Sequence, residues 1–205
     1  LFCLRSNKKL WKMKMNKLLF ILFFNFLMSD ELVNNSELWS IIQKKFNIEL
    51  AKDFSNLDAT AWLGHFAPKR NINVYQYGKD VSGKGGEGKT IKLYSGSILS
   101  SIIRGRLPAK LMAKTVFKRL KDQDYQESKI ELLGILLKND RLKAYVRFER
   151  INTLGEVYQT ARGIYTLIEI DGKWYISEMS TYDDIEEINA LVGYDKMWVP
   201  GNNNY

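Results

Sequence analysis

Apolar residues recur every fourth position through Ser36 to Phe54 (SELWSIIQKKFNIELAKDF), at Leu38, Ile42, Phe46 and Leu50, with Ile41 beside them. That spacing predicts an amphipathic helix with a core-facing stripe. A second, shorter helical stretch is expected from Asp58 to Phe66 (DATAWLGHF), with Asp58 as its N-cap and Pro68 ending it. Asn71 to Tyr77 (NINVYQY) alternates and predicts a strand. After a glycine-rich loop, Ser97 to Lys121 holds the helical stretches SILSSIIRGRL and AKLMAKTVFKRLK on either side of Pro108, which predicts one kinked helix or two short ones.

The remainder changes period. Ser128 to Lys138, Arg141 to Ile151, Val157 to Ile170 and Trp174 to Tyr182 read as strands, joined by the turn signals Asn139-Asp140, Thr153 to Gly155 and Asp171-Gly172. Four consecutive strands with short turns form an antiparallel meander. Helices first and a meander second predict an α+β domain with helices packed on one face of a bent sheet.

The 205 residues, 45% apolar and 26% charged, suffice for one full core and exclude disordered, collagen-like and disulfide-rich classes. The net charge of +8 is unevenly placed. Six of the 31 bases lie in residues 1–29, which hold no acid, so 25 bases face 23 acids downstream. A body so nearly balanced lacks the dense basic stripe that nucleic-acid binding needs, and no nucleic-acid partner is expected.

Residues 1–29 read as a targeting leader. A lysine-rich start precedes the apolar run Leu18 to Met28 (LLFILFFNFLM) and the polar boundary Ser29-Asp30-Glu31. A helix needs about 20 apolar residues to span a bilayer, so the run fits a secretory signal, with an uncleaved membrane anchor and a buried helix as the competing readings, and predicts an exported protein, periplasmic or secreted, with no membrane span in the mature chain. Met15 offers a more conventional start, which makes residues 1–14 a candidate gene-model extension. Residues 30–190 then form a single domain and 191–205 a C-terminal tail.

Little conventional chemistry is available. Cys3 is the only cysteine and lies in the leader; His65 is the only histidine. No multi-histidine metal site can be built in one chain, a catalytic triad could form only around His65, and no metal or cofactor is implied.

Two constellations remain. Gly83-Lys84-Gly85-Gly86-Glu87-Gly88-Lys89-Thr90 matches the phosphate-loop pattern, with Gly83, Gly88, Lys89 and Thr90 at its specified positions. Such a loop must open a helix, yet Ile91 to Tyr94 reads as extended and the later strands are joined by hairpins, so a flexible polar loop is the competing reading. The other constellation comes from strand register. If Asp171-Gly172 is a two-residue hairpin loop, Glu169 pairs with Trp174, Leu167 with Ile176, Tyr165 with Glu178 and Gly163 with Ser180, all on one face. Glu178 would then sit inward beside Tyr165 and opposite a glycine that leaves space. A carboxyl there would have a raised pKa and could act as acid or base, with Tyr165 as hydrogen-bond donor. Leu142, Ala144, Val146, Phe148 and Arg150 share a face of the neighbouring strand, so Arg150 either adds a cation to a pocket or pairs with Glu178. His65 is a further catalytic candidate or a satisfied structural histidine. Trp39, Trp62, Trp174, Tyr165 and Tyr182 are expected as core or pocket lining.

With these residues in view, the sequence resembles the nuclear transport factor 2-like (NTF2-like) superfamily and its SnoaL-like branch. The resemblance rests on DATAWLGHFAP and on the hairpin ARGIYTLIEIDGKWYISEMS, and covers about residues 35 to 185. It implies a cone-shaped domain, a strongly curved antiparallel sheet wrapped around N-terminal helices. Members include dehydratases, isomerases, ligand binders and interaction modules, so enzymatic activity stays open. Where pocket enzymes of the family use Asp or Glu with Tyr or His, the matching candidates are Glu178, Tyr165 and His65; the position often filled by histidine is Ser180.

The leading expectation is a cone that binds a small apolar or amphipathic ligand, or a protein partner, with Trp62, Arg150, Trp174 and Ser180 as lining. The alternatives are acid/base isomerisation or dehydration by Glu178 and Tyr165, and nucleotide binding at 83–90. Tyr158, Ile164, Ile168 and Tyr175 are expected to form an apolar patch on the opposite sheet face, suited to a homodimer.

Overall fold

The computed structural model describes residues 35–79, 88–138, 141–183 and 198–200. The expected leader 1–29, Gly83, the expected turn Asn139-Asp140 and most of the expected tail 191–205 lie outside the described residues. The chain divides into two compact units, residues 1–40 and 41–205. In the first, residues 35–40 are helical.

The second unit begins with helix at 41–43, widens into π-type turns over Lys44–Leu50 and tightens again as α1 (Ala51–Ser55). The Ala51 N–H reaches the Phe46 carbonyl, five residues back. A strict four-residue repeat is wider than the α-helical turn of 3.6, and the wider turns keep Ile42, Phe46 and Leu50 on one side. All three are fully buried. Helix α2 (Ala59–Leu63) starts as predicted: Asp58 Oδ1 accepts from the N–H groups of Thr60 at 2.9 Å and Ala61 at 3.0 Å.

The strands are β1 (Asn71–Gln76), β2 (Lys89–Tyr94), β3 (Leu107–Pro108), β4 (Tyr125–Lys138), β5 (Arg141–Asn152), β6 (Val157–Ile170) and β7 (Lys173–Tyr182). They form one open sheet in the order β3-β2-β1-β7-β6-β5-β4. The predicted meander supplies four of the seven, with ends within three residues of those expected. The sheet is long and curved, so the fold class read from the sequence holds. It is not purely antiparallel: β1 joins β7, and β3 joins β2, in parallel.

Pro108 separates two helices rather than kinking one. Helix α3 (Ile98–Ile103) is capped by Ser97, whose Oγ accepts from the Ser100 N–H at 3.2 Å. Helix α4 (Ala109–Lys121) follows the short β3 and buries Ala109, Ala113, Phe117 and Leu120.

Packing occupies both faces of the sheet. On the helical side, Phe117, Leu120 and Tyr125 form a cluster with Phe54 and Trp62 against it, and Phe54 meets Phe117 edge-on at 5.2 Å. On the other side, Tyr145, Ile164 and Tyr182 bury one another beneath Leu133 and Leu136. Ile164 is therefore covered by its own chain and does not belong to the expected outer apolar patch; Tyr158 is exposed, and Ile168 and Tyr175 are half-buried.

Candidate functional site

Residues that alternate along five strands place their side chains on the helical face. Register brings Ile72 beside Leu93, Val74 beside Ile91 and Gln76 beside Lys89. Val74 also neighbours Met179, and Gln76 neighbours Thr181. On β5 and β6, Ala144 faces Tyr165, Val146 faces Gly163 and Phe148 faces Ala161. The predicted shared face of Leu142, Ala144, Val146, Phe148 and Arg150 is thereby present.

The helices do not close fully over this face. A cavity of about 500 Å³ remains, walled on the sheet side by Ile72, Val74, Ile91, Phe148, Ala161, Tyr165 and Met179. Leu50 and Phe54, then Trp62, Leu63 and Phe66, wall it from the N-terminal helices, and Ala109, Met112, Ala113 and Val116 from α4. It reaches the surface where lining residues are exposed, at Lys79, Lys89, Leu107, Leu111, Thr115 and Arg119.

Gly163 explains how two large rings fit into this wall. A Cβ there would lie 2.9 Å from Tyr165 Cε2 and 3.1 Å from Phe148 Cε2. Its hydrogen lets Phe148 and Tyr165 stand 5.9 Å apart in a tilted pair, while Phe46 meets Tyr165 edge-on at 5.1 Å. Burial pushes the Tyr165 phenol well above its usual range, with the Arg150 charge opposing. Tyr165 is accordingly a neutral hydroxyl at physiological pH. Burial raises the phenols of Tyr125 and Tyr158 as well, with the Arg150 charge opposing, and Arg150 Nη1 donates to Gln159 Oε1.

Tyr165, Trp62 and Arg150 thus line the cavity as the sequence predicts. Glu178 does not. The hairpin turn has Asp171 at φ 51° and Gly172 at φ 72°, the type I′ geometry expected for two residues. Pairing follows the predicted count through Ile170 with Lys173, Glu169 with Trp174 and Leu167 with Ile176. There β7 holds one extra residue, Ser177, whose Oγ donates to the Thr166 carbonyl at 3.1 Å. Beyond this bulge Thr166 pairs with Glu178, Tyr165 with Met179, Ile164 with Ser180 and Gly163 with Thr181. A one-residue slip exchanges the faces of all that follows. Glu178 and Ser180 therefore lie opposite the cavity face; Ser180 Oγ donates to the Ile164 carbonyl at 3.4 Å. Met179 and Thr181 take their predicted places. The sequence did carry a signal: after Trp174 and Ile176 the alternation fails at Glu178 and resumes at Met179.

Trp174 is half-buried beside Glu169 and does not line the cavity. Neither does His65. Its Nε2–H donates to Asp53 Oδ2 at 2.9 Å, and its Nδ1 stands 3.4 Å from Lys45 Nζ. Burial lowers the His65 pKa more than the Asp53 hydrogen bond raises it, so the ring is neutral and can accept from the Lys45 ammonium while donating to the carboxylate. It is a buried structural link between Lys45 and Asp53.

At the phosphate-loop match, Gly88 has φ 69° and a strand begins at Lys89, paired with Gln76. Lys89 and Thr90 belong to β2, so the helix that a phosphate loop requires does not start at these residues, while 83–87 lie outside the described residues. Lys89 instead contributes to the cavity wall. Among the described residues, no group of three His, Cys, Asp or Glu side chains could hold a metal ion.

No family model matches this chain, and neither does any curated protein. Solved structures resemble it. One is an NTF2-like protein of unknown function from Shewanella oneidensis, 14% identical, covering 75% of this chain and 97% of that one, with a TM-score of 0.44. A second NTF2-like protein of unknown function, from Shewanella baltica, is 12% identical over 72% of this chain and 93% of that one, TM-score 0.43. A domain of unknown function with a cystatin-like fold from Nostoc punctiforme is 12% identical over 78% of this chain and 86% of that one, TM-score 0.46. No activity comes with these likenesses.

Proposed function

We propose that this chain is an NTF2-like ligand-binding domain whose cavity takes a small apolar or amphipathic molecule. The observation that carries this reading is the cavity itself, about 500 Å³ of space between sheet and helices with predominantly aliphatic and aromatic walls. Protein cores ordinarily close to crystal-like density. Open apolar cavities of roughly 300 to 1,000 Å³ with a few polar groups are the usual receptacles of small molecules.

Binding rather than proton-transfer catalysis fits the wall. Its described residues include no Asp, Glu, His or Cys, and the one weak acid buried in it, Tyr165, is held neutral. The hairpin ARGIYTLIEIDGKWYISEMS supports placing the domain in the SnoaL-like branch, and the basic-then-apolar pattern of residues 1–29 supports export to the periplasm or outside the cell. Among the described residues, no helix is long and apolar enough to cross a membrane.

The test is a titration with N-phenyl-1-naphthylamine, a neutral dye that fluoresces in apolar surroundings. Saturable binding by the parent, with at least tenfold weaker binding by Ala161→Trp, which fills the cavity, supports the reading. Absence of saturable binding by a folded parent, or unchanged binding by a folded Ala161→Trp, overturns it.

A further inference from the structure

Helix α3 is folded inside out. The residue it buries is Ser101, whose Oγ donates to the Ser97 carbonyl at 2.9 Å. Its aliphatic side chains face solvent: Ile98 is 47% exposed, Leu99 69%, Ile102 65% and Ile103 78%. A surface helix ordinarily turns its apolar stripe to the core and its hydroxyls to water. Leu107 of β3, the short strand against which α3 packs, and Leu111 of α4 extend the exposed aliphatic surface. A single exposed leucine needs no explanation, but six branched side chains on adjoining elements mark a contact site. The charges around them have one sign. Residues 88–121, which contain β2, α3, β3 and α4, hold nine bases and no acid. Arg104, next to Ile103, lies over the Tyr94 ring at 4.8 Å, a neutral partner that leaves its charge intact. Lys110 and Lys114, on either side of Leu111 along α4, are exposed and make no ion pair among the described residues.

We propose that α3, with Leu107 and Leu111, docks this domain on an anionic phospholipid surface. The aliphatic side chains enter the boundary between headgroups and acyl chains, and Arg104, Lys110 and Lys114 meet the phosphates. A nucleic-acid backbone would match the charges but leave the aliphatic side chains in water, and a second copy on the same face would set like charges against one another across the interface. Leu107 and Leu111 also line the cavity, so docking turns its mouth toward the lipid. The docking stands whether or not the cavity holds a ligand.

The experiment uses the full chain with Cys3→Ser, which removes the only native cysteine, and with Ile103→Cys carrying a nitrobenzoxadiazole label that brightens in apolar surroundings. A second chain carries the label at Leu154→Cys, an exposed position in the turn between β5 and β6. With vesicles of phosphatidylglycerol and phosphatidylcholine in equal parts, the label at 103 is expected to brighten and shift to the blue. The label at 154 should stay unchanged, and vesicles of phosphatidylcholine alone should affect neither. Lys110→Gln with Lys114→Gln should raise the lipid concentration at half-effect about tenfold, since each base near an anionic surface strengthens adsorption several-fold. Each label reports its own position, so adsorption through residues 1–29 does not imitate this pattern. Silence at 103 in a folded chain overturns the proposal, as does equal brightening at 154 or on phosphatidylcholine alone. An undiminished response in the folded lysine variant overturns it too, because the anionic lipid is then recognised elsewhere. Brightening that follows protein concentration without lipid assigns the face to a second copy, and the proposal falls in that case as well.

Discussion

Tyr165 pairs with Met179 across β6 and β7, and the carboxylate next in sequence, Glu178, pairs with Thr166 on the opposite face. Ser177 alone produces this. A residue that looks like a buried acid beside a tyrosine belongs to the outer side of the sheet.

Glu178→Gln is accordingly expected to leave dye binding unchanged and to alter stability by no more than about 0.5 kcal/mol, as for an ordinary surface substitution. Met179→Glu places a charge in the apolar wall and should lower both stability and neutral-dye affinity. Urea denaturation and the dye titration measure the pair; the reverse order of effects would reject the register described above.

Gly163→Ala should destabilise the domain by about 1 to 3 kcal/mol, because a methyl group there forces the Tyr165 and Phe148 rings from a packed arrangement. The displaced rings also take up cavity space, so dye affinity should fall with stability. A neutral result would mean that the rings yield freely and that this wall is loosely packed.

The buried His65 ties stability to pH. Burial holds its folded-state pKa below the unfolded value of about 6.5, so between the two values the unfolded chain binds more protons. The contribution is full above pH about 6.5 and is lost as pH falls through the folded value. Denaturation midpoints at pH 7.5 and pH 5 should therefore differ more in the parent than in His65→Gln. Equal differences would show that His65 is not the group responsible.

Asp58→Ala should cost about 1 kcal/mol, since two N–H donors at the start of α2 lose their acceptor, while Asp58→Ser should retain most of that stability. Thermal unfolding of the two variants provides the comparison. An equal loss in both would place the role of Asp58 outside the cap.

Much of this fold was legible because local chemistry fixed it. The Asp58 cap, the break at Pro108 and the Asp171-Gly172 turn each depend on a few adjacent residues, and each appears as expected. The shared face of Phe148 and Arg150 was equally legible, since strand alternation needs no partner to establish it. Glu178 failed for the complementary reason: a bulge is set by pairing between strands, and its one trace within β7 is the break in alternation after Ile176. The structural reading of His65 was among those the sequence offered, but its partners, Asp53 and Lys45, come from a distant stretch of helix and could not be named from it. Whole-chain charge concealed another feature. The nearly balanced body contains a stretch, residues 95–121, with seven bases and no acid, and it supplies Arg119 to the cavity rim.

The Ser177 bulge has a genetic side. Deleting that one codon preserves the reading frame and removes only the unpaired residue, so Ile176 is followed directly by Glu178 opposite Thr166 and by Met179 opposite Tyr165, the partners they already have. The composition of the chamber is therefore indifferent to the loss of this position: the thioether and the threonine stay inside and the carboxylate stays outside, with or without the extra codon.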